Sequence, residues 1–218
     1  MNPPAGMKLV FEADFTKPDA LKQFAFPDPA VWRLAKADGA PVLEQYRDYK
    51  QTTYKPPHRS PFTYCVVNGP GVGDFVLDVE GQNTHKDDPH RDMVFVWGWQ
   101  SATRFYYAHV ATKTDAVAHT ILVVDDAPRV KLPTAAGNPG VDWGRDVWRT
   151  VRVARTLADG KMSVFFEDMT KPVLTATDKR YGVGRVGFGT FDDTCRVRAV
   201  RLWAAETVER PAATFPKG

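Results

Sequence analysis

Five residues in the middle of this chain have the types that move protons: His90, Arg91, Tyr107, His109 and His119. An unperturbed imidazole titrates near 6.5, which suits it to take or give a proton near neutrality, and a phenol can serve as the complementary acid or base. Together they fit abstraction of a carbon-bound proton beside a carbonyl or carboxylate, with a guanidinium (Arg91 or Arg129) stabilising the negative charge that develops on oxygen. A uronic acid, acidified at C5 by its carboxylate, or a 3-keto sugar, acidified at C2 by its ketone, would then lose a glycosidic oxygen by β-elimination. Trp97 and Trp99 supply aromatic faces on which a sugar ring can stack, and Arg129 and Asp126 supply polar contacts to it. Three imidazoles (His90, His109, His119) plus water would also make a zinc-like set, but their spacing matches no local ligand motif.

The elements that position these residues read as three strands. Residues 92–100, 104–111 and 118–125 are rich in β-branched and aromatic types, and side chains in a strand alternate between two faces. One set is mainly aliphatic: Val94, Val96, Tyr106, Ala108, Val110, Leu122 and Val124. The other holds Phe95, Trp97, Trp99, Phe105, Tyr107, His109, His119, Ile121 and Val123. The two sets stay separate across the sheet only if the connections hold odd numbers of residues, such as Ser101 to Thr103, because a slip of one residue flips a whole strand. That register sets His109 opposite His119, puts Phe95 beside His109 and pairs Trp97 with Tyr107. It also lets His90 and Arg91 fold over the histidines. The competing reading is that the aromatic face is a hydrophobic core with histidines at its margin.

Further strand-like runs occur at 8–15, 31–35, 41–46, 62–67, 74–81, 147–156, 161–167, 184–190 and 196–203, the rhythm of a β-sandwich. Ala158-Asp159-Gly160 is a hairpin turn, residues 18–24 are the one short helical stretch, and 133–142, rich in Gly and Pro, is a surface loop. With 218 residues and no linker, one domain spanning 1–218 is expected. Net charge is only +3, from 29 basic and 26 acidic residues mixed along the chain, which gives no support to a nucleic-acid surface. No run approaches the roughly 18 apolar residues of a membrane span. The opening Met-Asn-Pro-Pro-Ala-Gly-Met lacks the regions of a signal peptide, which leaves a cytoplasmic protein or a mature end. Cys65 and Cys195 fit a thiol pair, a disulfide or two buried inert residues, the last being expected.

The second half resembles the concanavalin A-like lectin/glucanase superfamily, and more narrowly bacterial secreted domains related to the 3-keto-disaccharide hydrolase family. The residues that carry the likeness are Phe105-Tyr106-Tyr107-Ala108-His109, Trp148-Arg149-Thr150-Val151-Arg152-Val153 leading to the Asp159-Gly160 hairpin, and Val164-Phe165-Phe166-Glu167-Asp168. To these are added Gly184-Arg185-Val186-Gly187-Phe188-Gly189-Thr190-Phe191, a last strand ending at Trp203, and Phe11-Glu12-Ala13-Asp14-Phe15 near the start. The resemblance implies an all-β, two-sheet concanavalin A-like β-jelly roll sandwich, a secreted or periplasmic location and, in many members, a structural calcium ion, for which Asp14, Asp192 or Asp193 are candidates here. The acidic motif of laminarinase-type enzymes is absent. Asp78 and Glu80 imitate it most nearly and read instead as solvated outward residues, as do His85 and the aspartates of the 85–92 loop.

The sequence therefore points to a carbohydrate-active enzyme that binds an oligo- or polysaccharide and cleaves it, by lyase-like elimination or hydrolysis, at a His/Tyr centre with no required cofactor. A non-catalytic lectin-like module is the alternative, and a structural domain with no open groove is the third reading.

Overall fold

The computed structural model describes residues 4–86, 90–133 and 139–216. Part of the polar loop before Asp92 and the middle of the Gly/Pro-rich loop lie outside the described residues. Among the described residues the fold is all-β, with three sheets, none closed on itself. Seven strands form one sheet in the order Val130–Lys131, Thr120–Asp125, Arg104–Ala111, Asp92–Ser101, Arg185–Thr190, Thr63–Val67 and Phe24–Ala25. Eight form another, in the order Leu174–Thr177, Lys161–Phe166, Arg149–Arg155, Phe75–Asn83, Cys195–Ala204, Ala40–Gln45 and Trp32–Ala37, with Lys8–Glu12 also pairing to Cys195–Ala204. Gly71–Val72 and Thr207–Val208 make a small third sheet, so the expected clean two-sheet jelly roll holds only in its all-β character. No helix of the described residues is long and apolar enough to cross a membrane. The stretch expected to be helical is a single 3-10 turn, Ala20–Gln23, and the Ala158–Gly160 turn is present, with Gly160 in the left-handed region at φ 73°.

The main core lies between the two large sheets. Phe95, Trp97, Tyr106, Ala108, Ile121, Val123 and Phe188 of the seven-stranded sheet meet Leu43, Leu77, Val79, Val153, Met162, Val164 and Leu202 of the other. Each large buried side chain there contributes about 1.5–3 kcal/mol. A second core covers the far face of the seven-stranded sheet: Tyr64, Val66, Val94, Val96, Trp99, Phe105, Tyr107, Leu122 and Val124 are sealed by Tyr54, Phe62 and Phe191 and by the terminal Ala213 and Phe215. Burial on both faces explains why these strands read as nearly continuous apolar runs rather than as a polar-apolar alternation.

The register differs from the expected one by a single residue. Ser101 pairs with Arg104, so the first hairpin turns through Ala102 and Thr103 alone, and after a register shift between Ser101 and Trp97 the strands pair Trp97 with Tyr106 and Val96 with Tyr107. On the next strand Tyr107 faces Leu122 and His109 faces Thr120. Phe95 and Trp97 thus point between the sheets, while Tyr107 and His109 point the other way with Val94 and Val96. A bulge at Gly98, whose φ is 57°, then turns Trp99 away from Trp97 and into the second core. The proposed separation into an aliphatic and an aromatic face does not occur, because the turn holds two residues and not three.

Candidate functional site at the end of the seven-stranded sheet

The strand Asp92–Ser101 begins where Arg104–Ala111 ends, so Asp92 and His109 meet at one end of the sheet. His109 Nε2 lies 3.1 Å from Asp92 Oδ2, and His109 Nδ1 lies 3.1 Å from the Val117 carbonyl oxygen. Both residues are buried, His109 to 7% and Asp92 to 4% exposure, so the loop aspartate expected in solvent is an internal group. Both ring nitrogens of the buried His109 are thus engaged by atoms of the chain, and neither stands open to a substrate. Asp92 Oδ1 accepts from the amide of Phe191 at 2.8 Å, and the Phe191 ring stacks on His109 with centroids 5.3 Å apart.

Above this pair sit two guanidiniums. Arg129 lies 4.2 Å and Arg59 5.5 Å from the Phe191 ring centre. Arg129 Nη1 donates to the Tyr107 hydroxyl at 3.0 Å, and the Arg129 amide donates to the Arg59 carbonyl at 3.3 Å. Burial pushes the Tyr107 hydroxyl far above its usual range, partly offset by Arg129, so it stays protonated and is a weak base. Tyr107 has no exposed surface; its part is to hold Arg129. Arg59 is exposed and Arg129 half-buried.

On the other side of Asp92 lies Asp193, with Asp192 beside it. Single oxygens of Asp92, Asp192 and Asp193 all fall within 4.8 Å of one another, a grouping able to hold a metal ion. Asp193 Oδ2 accepts from the Asn83 amide group at 2.6 Å and the Asp92 backbone amide at 2.9 Å. Burial, then the neighbouring Asp92 charge, pushes the Asp193 carboxyl up to about 8. That is the signature of carboxylates crowded without a counter-charge, and a divalent cation there would supply one; calcium takes six to eight oxygens, so backbone oxygens or water would have to complete the set. Asp14 does not belong to the grouping, since its carboxylate caps Thr16, accepting from both the amide and the hydroxyl.

The remaining candidates are dispersed. His119 is buried, sits just outside its strand with φ at 49°, and accepts from the Ala111 amide at 3.3 Å, while Thr120 takes the expected place opposite His109. His90 is exposed and Arg91 half-buried; Nε of Arg91 is buried and has no hydrogen-bond partner among the described residues. Despite its own burial, the Asp115 carboxyl is held below its usual value by the amides of Val117 and Ala118 and the charges of His109 and His90, which places His90 on this side of the molecule. Trp97 is wholly buried between the sheets, its indole donating to Met162 Sδ at 3.1 Å, and Trp99 is 3% exposed under Phe215. Neither offers a face to a sugar in this structure. Asp126 lies at the opposite end of the strands, accepting from Thr103 at 2.6 Å. Asp78 is buried in a bidentate pair with Arg152 at 2.7 and 2.8 Å, and Glu80 pairs with Arg198, so neither is a solvated strand residue. Cys65 and Cys195 are buried free thiols, each pushed up by burial.

Asp92, Phe191 and Arg59 escaped the sequence reading. Asp92 reads as the end of a polar loop, and Arg59 lies far away in sequence. The Phe191-Asp192-Asp193 turn, next to the conspicuous run at 184–190, is the signal available for Phe191.

No family model and no curated protein matches this chain. Solved structures do. The carbohydrate binding module CBM66 from Bacillus subtilis superposes with a TM-score of 0.57 at 13% identity, over 82% of this chain and 93% of that one. The fold is the β-sandwich shared with this module. The same sandwich is found in the VIP36 exoplasmic/lumenal domain in its Ca2+/Man3GlcNAc-bound form, with a TM-score of 0.52 and 13% identity, over 94% and 93% of the two chains. It is found again within the GH43 protein BlXynB from Bacillus licheniformis, with a TM-score of 0.56 and 10% identity over 84% of this chain and 37% of that larger one. Binding proteins and an enzyme share this architecture, so the lectin-like sandwich alone does not choose between them.

Proposed function

We propose that this protein is a carbohydrate-binding module that holds a glycan at the end of its seven-stranded sheet without cleaving it. The observation that carries the reading is the engagement of His109 on both sides, by Asp92 and by the Val117 carbonyl. It leaves neither ring nitrogen open to a substrate, as a His/Tyr elimination centre would require, and gives a constellation suited to holding two accessible arginines. In this reading Arg59 and Arg129 touch the ligand, and Tyr107, Phe191, His109 and Asp92 position them. Support comes from the lectin-like fold, shared with a carbohydrate binding module and with a glycan-bound, calcium-bound lumenal domain. A calcium ion belongs to the same proposal, held by Asp92, Asp192 and Asp193; when bound it would supply the missing positive charge and fix the turn that carries Phe191. The resemblance to secreted domains supports a place outside the cytoplasm.

Cleavage is the second reading. It is favoured by the Asp92–His109 pair itself, since a carboxylate on one imidazole nitrogen is how catalytic histidines are oriented. One experiment separates the two: incubation with a polysaccharide panel, following retention of the protein on each glycan together with reducing-end release and the ultraviolet absorbance of unsaturated uronides. The proposal expects retention with no product. Product formation that is lost in His109→Ala would overturn it.

A further inference from the structure

We infer that the ligand of this site is a negatively charged sugar, a uronate or a sulfate ester, gripped by Arg59 and Arg129; the inference rests on the carbohydrate-binding reading above. Several other surface arginines spend their charge on carboxylates of the chain. Arg33 and Arg196 share Glu44 at 2.6 Å each, Arg201 binds Glu12 at 2.7 Å, and Arg152 binds Asp78. In the groove of about 390 Å³ lined by Arg33, Arg145 and Arg196 each guanidinium meets a carboxylate, Arg33 and Arg196 sharing Glu44 and Arg145 meeting Asp146 at 3.5 Å.

Arg59 and Arg129 are different. Among the described residues neither has a carboxylate partner; their contacts are with the ring of Phe191, with the Tyr107 hydroxyl and with each other's backbone. Asp92, below the Phe191 turn, is spent on His109 and on the Phe191 amide. A guanidinium offers a planar fork of donors that matches a carboxylate or sulfate in two parallel hydrogen bonds. Stacking both forks over one buried aromatic ring fixes them before the ligand arrives, which lowers the ordering cost of binding. A neutral hydroxyl would gain little from two full charges so placed, whereas an anionic sugar neutralises them.

The test is titration calorimetry at low salt with four probes: a set of uronate oligosaccharides, their methyl esters, a sulfated galacto-oligosaccharide and its desulfated form. A charged probe should bind at least about tenfold more tightly than its neutral counterpart, as expected for hydrogen bonds to a charged group, and should weaken as sodium chloride screens the exposed guanidiniums. Which charged probe wins identifies carboxylate or sulfate as the source. Arg59→Gln, at an exposed position, should lose about tenfold with its fold intact, and Arg129→Lys should recover less than full affinity because a point charge does not replace the fork. Equal affinity for charged and neutral forms overturns this inference and leaves the carbohydrate-binding reading standing. Silence toward all four probes overturns both.

Discussion

His109 donates to Asp92 across 3.1 Å at the buried floor of the site, while the second oxygen of the same carboxylate holds the turn that delivers Phe191. One carboxylate thus couples the histidine to the aromatic ring on which both arginines rest. The pair behaves as a keystone for the surface above it and has no exposed proton-transfer face.

Removing the histidine should therefore cost stability. His109→Ala leaves Asp92 buried beside Asp193 without its imidazole partner, and a buried polar group left unsatisfied costs about 1–3 kcal/mol. Urea denaturation of wild type and variant measures this. A variant as stable as wild type would mean that the pair carries no structural weight.

Trp97 belongs to the core and not to a sugar platform. Trp97→Ala should lower stability by about 3–5 kcal/mol through the cavity it opens between the sheets, with glycan affinity per folded molecule unchanged. The check is denaturation together with calorimetry at a temperature where the variant is folded. Loss of affinity without loss of stability would restore Trp97 as a ligand contact.

Gly98 sets which way Trp99 faces. An alanine there is strained at φ 57° and its Cβ would lie 3.2 Å from both the Arg155 Nη1 and the Tyr106 ring. Gly98→Ala should cost about 1–3 kcal/mol and shift the tryptophan fluorescence, as Trp99 leaves its place under Phe215. An unchanged melting temperature and spectrum would show that the bulge tolerates a side chain.

Stability should also depend on pH through Asp193. The folded chain keeps its carboxyl proton up to about 8, against an ordinary 3.8, so between these values the native state binds a proton that the unfolded chain has released. In calcium-free buffer the contribution is complete below about pH 4, falls by up to about 1.4 kcal/mol per pH unit as pH rises, and levels off above pH 8. Asp193→Asn keeps acceptor and donor groups without the titration, so the slope over this window should flatten. Calcium, in displacing that proton, should raise the melting temperature more at pH 8 than at pH 5. Melts identical with calcium and with chelator would remove the ion from the account.

The β-sandwich was legible because strand runs of Val, Thr and aromatic residues recur between turn residues, and runs such as 104–111 and 161–167 were placed within a residue or two of the observed strands. The faces of the central strands were not legible. They hang on whether one hairpin holds two or three residues and on one glycine in the left-handed region, and neither changes the local propensity of Trp97 or Trp99. Burial on both sides of the sheet removed the polar face that would have fixed the register. His109, Tyr107 and Arg129 were legible as chemical types, and the structure gathers them. Their partners Asp92, Phe191 and Arg59 come from the start of a strand, the turn after another strand and a distant segment, brought together by strand pairing.

The central claim, a glycan held by Arg59 and Arg129 over Phe191, is tested most directly by mapping amide chemical shifts of the isotopically labelled protein during titration with the tightest-binding probe. The account predicts saturable shifts concentrated at Arg59, Arg129, His109 and the 190–193 turn. Shifts confined to the groove around Arg33, Tyr46 and Arg196, with none at Arg59 or Arg129, would contradict it.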